Sequence, residues 1–133
     1  MNFQEKYLQN KIQTAAPEVL VAMMYEGAIK FLKVAKEALL AKDLAKVNTH
    51  IIRTQNIVYE LAFSLDKKRG GEIARNLEAI YVYINDRLVQ ANSKKDVRLI
   101  DECVELLSAL SLAWQEAIVA SKSKQKVGAS VVG

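Results

Sequence analysis

The sequence predicts an all-α protein that folds as an antiparallel up-down four-helix bundle. Helix breakers are scarce, with one Pro and five Gly in 133 residues, which favours helices. Apolar residues make up 51% and charged residues 26% of the chain, the mixture of an ordinary globular domain with its own core. Four segments repeat apolar residues at three- and four-residue spacing, and the short turns between them force consecutive helices to run antiparallel.

The first helix is predicted over about residues 17–41. Pro17 suits a first helical turn because its missing N–H has no intrahelical partner there, and Glu18 is favourable near the positive end of the helix dipole. The apolar stripe then runs from Leu20 to Leu39. Asp43 follows the turn as a candidate N-cap of the next helix.

The second helix, predicted over about 43–65, has the most regular pattern in the chain. Its apolar positions alternate three- and four-residue steps without interruption, as in a bundle whose helices cross at a shallow angle. These positions are Leu44, Val47, Ile51, Thr54, Val58, Leu61 and Leu65.

Two further helices complete the bundle. The paired Gly70 and Gly71 break the pattern, and the third helix is predicted over about 71–91. Ser93 and Asp96 suggest a capping box before a fourth helix over about 96–121. The bundle domain would therefore span residues 1–122, and residues 123–133 lose the periodicity and are predicted to form a flexible tail.

The helices carry more apolar surface than one core needs. Ile52, Tyr59 and Phe63 share a face of the second helix, about 130° from the centre of its core stripe. Val82 and Val89 lie off the stripe of the third helix, and Leu112 and Val119 off that of the fourth. Part of this extra apolar surface is explained if the residues beside each core stripe are also buried. For the stripe of Ile52 we favour a partner surface, for either a second copy of the chain or a different protein.

Few side chains could support catalysis or hold a cofactor. His50 is the only histidine and Cys103 the only cysteine, so a zinc site or a Ser-His-Asp triad lacks its usual ligands or partners. We therefore expect no enzyme activity, no metal and no cofactor. The net charge of +4 comes from scattered basic residues, which does not favour nucleic-acid binding. The first ten residues lack the apolar core of a signal peptide and no apolar run approaches the length of a membrane span, so we expect a cytoplasmic protein without a membrane span.

Five stretches, in order along the chain, resemble the flagellar export chaperone family FliS. They begin at Tyr7 (YLQNKIQTAAPE), Met24 (MYEGAIKFL), Arg53 (RTQNIVYEL), Gly70 (GGEIARNL, continuing through YVYINDRL to residue 92) and Trp114 (WQEA). The resemblance covers about residues 7–120. Two positions depart from the family pattern. Ala16 stands where the family usually has a capping Ser, and Val82 replaces a usual acid between two tyrosines.

The resemblance implies a cytosolic chaperone that binds the disordered C-terminal segment of flagellin and blocks its premature polymerisation. Other flagellar assembly or export proteins are further candidate partners, and both a monomer and a weak homodimer fit the sequence. The resemblance also implies a short N-terminal segment that packs on the bundle, over part of the client surface. The residues expected to contact flagellin are Ile52, Gln55, Asn56, Tyr59 and Phe63, with Tyr7 and Ile12 at the edge. The alternative is a homodimeric helical adaptor with no flagellin client.

Overall fold

The computed structural model is a bundle of four long helices, and it describes residues 5–6 and 15–132. The helices are α1 (Pro17–Leu40), α2 (Leu44–Phe63), α3 (Lys67–Lys94) and α4 (Val97–Val132). Each connection is only two or three residues long. The all-α bundle is confirmed, whereas the N-terminal segment predicted to pack on it lies largely outside the described residues.

The helix α1 begins at Pro17 without a side-chain cap. Ala16 makes no capping hydrogen bond, as expected for a residue with no polar side chain at this position. Five α1 side chains at three- and four-residue spacing are buried and form its core stripe. They are Tyr25, Ala28, Leu32, Ala35 and Ala38.

The helix α2 follows the predicted pattern closely. Asp43 is its N-cap, since its side chain accepts a hydrogen bond from the Lys46 backbone N–H at 3.2 Å. The five central positions of the predicted stripe, from Val47 to Leu61, are buried. Leu44 differs, because it lies in the first turn at the end of the bundle and is half exposed.

The helix α3 starts earlier than predicted, because part of the segment 66–71 expected to separate the second and third helices forms its first turn. Asp66 caps a first turn that begins at Lys67. Gly71 then adopts φ +52° and ψ −122°, which breaks the helical geometry in a region of backbone conformation suited to glycine. The helix continues past residue 91 to Lys94 and ends at Lys95 in the left-handed conformation.

The start of α4 corrects one prediction. Ser93 lies in the last turn of α3, so it cannot form a capping box with Asp96 for the next helix. Asp96 instead accepts a hydrogen bond from the Arg98 backbone N–H at 2.9 Å. The far end also differs from the predicted end near residue 121, since α4 continues to Val132. Lys, Gln, Ala and Ser tolerate a helix and one Gly costs only about 1 kcal/mol, so nothing forces an earlier stop; the flexibility of residues 123–133 stays a prediction.

The helices pack in a ring. Each helix contacts the next one in the chain, and α4 also contacts α1. Antiparallel packing is visible in the pairs at both ends of α1. Lys36 forms an ion pair with Asp101 at 2.8 Å, and the Trp114 indole N–H donates to the Glu18 carbonyl oxygen at 2.8 Å. The core inside this ring includes fully buried Leu32, Ile51 and Leu88, each of which contributes about 1.5–3 kcal/mol by its transfer from water.

One helix among the described residues, α4 over Val97–Lys124, is long and apolar enough to cross a membrane by length and composition alone. A single such helix is weak evidence for a span. Its inner side chains Ile100, Cys103 and Leu107 are completely buried in the bundle core. Its outer side carries Asp101, which is paired with a lysine of α1.

Candidate binding groove between α2 and α3

A groove runs along the outside of the bundle between the antiparallel helices α2 and α3. It consists of two adjoining cavities of about 240 and 400 Å³, and Val89 of α3 lines both. The first cavity is mainly apolar, with Tyr59 and Ala62 on the α2 side and Val82 on the α3 side. The second is more polar and is lined in part by Ile52 and Gln55.

The structure brings three of the predicted site residues to this groove. Tyr59 lies on the first cavity and is 59% exposed, whereas Ile52 and Gln55 lie on the second. Asn56 and Phe63 are exposed but line neither cavity. Phe63 is the last residue of α2 and is 91% exposed. Their role in binding stays a prediction.

Two predicted site residues, Tyr7 and Ile12, lie outside the described residues, and their place at the edge of the client surface stays a prediction.

The α3 wall of the groove was not among the predicted site residues. Val82 and Val89 are 64% and 54% exposed and are seven residues apart, so they lie on one face of the helix. The sequence showed these apolar positions to be off the core stripe. It did not show that they face Ile52 and Tyr59, because that depends on which helices are neighbours in the bundle.

The floor of the first cavity contains a buried tyrosine. The Tyr81 hydroxyl is hydrogen-bonded to the hydroxyl of Tyr25, which reaches across the bundle from α1. Desolvation by burial raises the pKa of both phenols, so both stay neutral at physiological pH. This pair joins α1 to α3 beneath the groove and makes its floor part of the core.

Asn85 completes that floor and differs from the other buried polar residues. Its side chain is 7% exposed, and its Oδ1 has no hydrogen-bond partner among the described residues. Thr54 is also buried, but its hydroxyl donates to the His50 carbonyl oxygen at 2.8 Å. A buried acceptor without a donor costs about 1–3 kcal/mol.

Polar side chains lie within the groove and at one of its ends. Asp86 lies on the first cavity and accepts a hydrogen bond from the Gln90 side chain at 2.9 Å. At the far end of the second cavity, Asn92 of α3 donates to Asn48 of α2 at 2.7 Å and accepts from Lys95. The groove therefore has a mainly apolar stretch at the first cavity, which also includes Asp86, and a polar end at Asn92 and Lys95.

The residues considered for metal binding and catalysis have the following surroundings in the bundle. Among residues 5–6 and 15–132, no group of three or more His, Cys, Asp or Glu could hold a metal ion. Burial raises the pKa of the Cys103 thiol to about 12, so it is protonated and a poor nucleophile at neutral pH. The His50 Nδ1 is hydrogen-bonded to the Lys46 carbonyl oxygen at 2.9 Å. The same ring makes an edge-to-face contact with Phe31 of α1.

Comparison with known proteins gives a consistent result. The family model described as flagellar protein FliS matches residues 1–122. The chain is 38% identical over 112 residues to the flagellar secretion chaperone FliS of Bacillus subtilis, covering 84% of this chain and 83% of that protein. It is 34% identical over 110 residues to the Salmonella typhimurium protein of the same name, covering 82% of each.

A solved structure described as a flagellar chaperone from bacteria has the same fold, with a TM-score of 0.74 over 88% of this chain and 95% of that one at 22% identity. The match to the family model spans all the residues that build α1, α2, α3 and the core-facing part of α4. The chain therefore belongs to the FliS family of flagellar secretion chaperones.

Proposed function

We propose that this chain is a cytoplasmic export chaperone for flagellin. It binds the disordered C-terminal segment of flagellin, prevents premature polymerisation and keeps the client competent for flagellar type III secretion. The observation that carries the proposal is the apolar groove between α2 and α3, which lies outside the core. Membership of a secretion chaperone family supports a client protein as its occupant.

Binding a disordered segment requires an extensive apolar contact, because ordering the client costs conformational entropy. The groove and its rim supply exposed anchors on both helices. Tyr59 and Phe63 are 59% and 91% exposed on α2, and Val82 and Val89 of α3 line the same cavity as Tyr59. Aromatic and aliphatic anchors of this kind dominate binding energy where a partner excludes water from them.

The shape of the groove suits helical pieces of the client. Two antiparallel helices form a long shallow channel, and an amphipathic helix binds such a channel through apolar residues at three- and four-residue spacing. Gln55, which lines the second cavity, and its exposed neighbour Asn56 would bond client backbone between such pieces. Tyr7 and Ile12, in the N-terminal segment, would lie at the edge of this surface.

A homodimeric adaptor with no flagellin client is the alternative. The same exposed Ile52, Tyr59 and Phe63 could bury each other in a symmetric pair of bundles. The mass in solution separates the two functions. We expect a monomer or weak homodimer that takes up the client peptide, whereas a dimer that never binds it would support the adaptor.

Filament assembly provides the functional test. Monomeric flagellin is mixed with an equimolar amount of this protein under polymerising conditions, and assembly is followed by light scattering. We expect polymerisation to be suppressed by the wild-type chain and restored when Tyr59 and Phe63 are both replaced by Asp. Unchanged polymerisation in the presence of folded wild-type protein would contradict the proposal.

A further inference from the structure

Asn85 occupies a position where an apolar side chain would complete the groove. It lies on α3 between Val82 and Val89 and contributes to the floor of the first cavity. Its side chain is 93% buried, yet Oδ1 has no hydrogen-bond partner within the part of the chain that the structure describes. The free protein therefore carries a desolvated acceptor at its candidate binding site, which destabilises it.

The neighbouring side chains of the cavity do not provide the missing donor. Ala62 and the two valines have no side-chain donor, and the Tyr59 hydroxyl does not bond Oδ1. The Tyr81 hydroxyl is bonded to Tyr25 on the other side of the core. Asp86 is itself an acceptor and is bonded to Gln90.

The carboxamide can be presented to the groove. The last side-chain torsion of Asn is broad, unlike the three-fold torsions of aliphatic chains. Because Asn85 lines the cavity, rotation about this torsion can give Oδ1 access to a bound segment while the α3 backbone stays in place. Tyr59, which lines the same cavity, is mostly exposed, so the cavity is accessible from solvent on its α2 side.

We propose that Asn85 accepts a hydrogen bond from an N–H group of the bound client segment. This inference rests on the proposed function and adds the chemistry by which the groove selects its client. An apolar groove alone holds any apolar stretch in several registers. A single buried acceptor favours the register that places a donor over it, since every other register leaves the acceptor unpaired.

The test measures stability and affinity on the same variants. Asn85→Leu removes the polar group at similar size, and Asn85→Ala removes it without risk of overpacking. Thermal unfolding follows stability, and calorimetric titration with a peptide from the flagellin C-terminus follows affinity. We expect Asn85→Leu to raise the midpoint of unfolding by a few degrees, about 3 °C or more. We expect both variants to bind the peptide about tenfold more weakly or worse.

Val89→Ala is the matched control, because it trims an apolar wall of the same groove. It should weaken binding without raising the unfolding midpoint, so opposite changes in stability and affinity are expected for Asn85→Leu alone. Wild-type affinity in Asn85→Leu and Asn85→Ala would overturn the inference and leave the proposed function standing. A wild-type chain that does not bind the peptide would remove both.

The donor on the client has two possible sources, which peptide variants distinguish. The titrations with wild-type protein and Asn85→Leu are repeated with peptides in which each polar residue is replaced in turn by Ala. A side-chain donor is shown by one peptide for which the two proteins bind equally. A backbone N–H is shown by an affinity ratio of about ten that persists in every peptide.

Discussion

Replacing Tyr59 and Phe63 together by Asp separates the groove from the core most clearly. Both residues lie on α2, where Tyr59 is next to fully buried Val58 and Phe63 is two residues from fully buried Leu61. They belong to the apolar face of the second helix that the sequence placed away from its core stripe. The double variant places two negative charges on the apolar rim, so we expect it to lose client binding and stay folded.

The exposures give the size of the stability effect. An aromatic side chain buries about 200 Å² when fully covered. Tyr59 is 59% and Phe63 91% exposed, so the free protein buries roughly 80 and 20 Å² of them, worth about 2.5 kcal/mol in total at 25 cal/mol per Å². A domain of this length is stable by roughly 7–20 kcal/mol, so the fold should survive.

The loss of client affinity should be larger. Two aromatic anchors that the client covers cost about 2 kcal/mol each when removed, which corresponds to about a thousandfold weaker binding. Circular dichroism follows the helical content and the cooperativity of melting, and calorimetry follows the affinity for the flagellin peptide. The control is Leu112→Asp with Val119→Asp, the same charge change on α4 residues that are 59% and 64% exposed.

We expect the α4 control to bind the peptide within about threefold of wild type, as surface substitutions usually allow. Equal loss in both double variants would refute a groove confined to α2 and α3. Loss of the cooperative transition in the α2 variant would show that these residues belong to the core.

Three further predictions concern the scaffold. Leu61→Ala, at a position 1% exposed, should cost about 2–5 kcal/mol of unfolding free energy in urea titrations; a cost near zero would contradict the core assignment. Gly71→Ala should lower the free energy of unfolding by about 1–3 kcal/mol, because φ at this position is +52°. Gly27→Ala should raise it by about 0.5–1 kcal/mol, because this residue lies inside α1 where a Cβ has room. Equal effects of the two substitutions would refute this contrast. Burial raises the Cys103 pKa from 9.0 to about 12, so the unfolded thiol ionises first and stability should fall as pH rises from about 9 to 12. Cys103→Ala should lessen that fall, and an unchanged pH profile would contradict the burial effect.

Most of the fold follows from the periodicity of the sequence. The uninterrupted stripe of α2 predicted its buried residues because a helix in a bundle presents one face to the core. The double glycine predicted a break at Gly71, whose conformation is unfavourable for other residues, but the sequence placed that break between two helices and not inside α3. The helix ends were less predictable, because Ser93 and the residues after Lys122 fit a helix as well as a turn or tail.

The groove could be predicted only in part. The angle of Ile52 and Tyr59 from the core stripe showed that they leave the core, but the same angle applies to Asn56 and Phe63, which lie outside the two cavities. Local spacing does not say which side of the stripe adjoins α3. Asn85 could not be identified either, since its burial depends on the packing of α2 against α3.

The most direct test of the central claim is calorimetric titration of the wild-type chain with a peptide of about forty residues from the flagellin C-terminus. A segment of that length can bury roughly 1,000–3,000 Å² as it orders on a groove. We expect tight, saturable binding with a strongly negative heat-capacity change. The absence of binding, with the protein folded and the peptide soluble, would contradict a flagellin groove and leave the exposed surface of α2 and α3 to another partner.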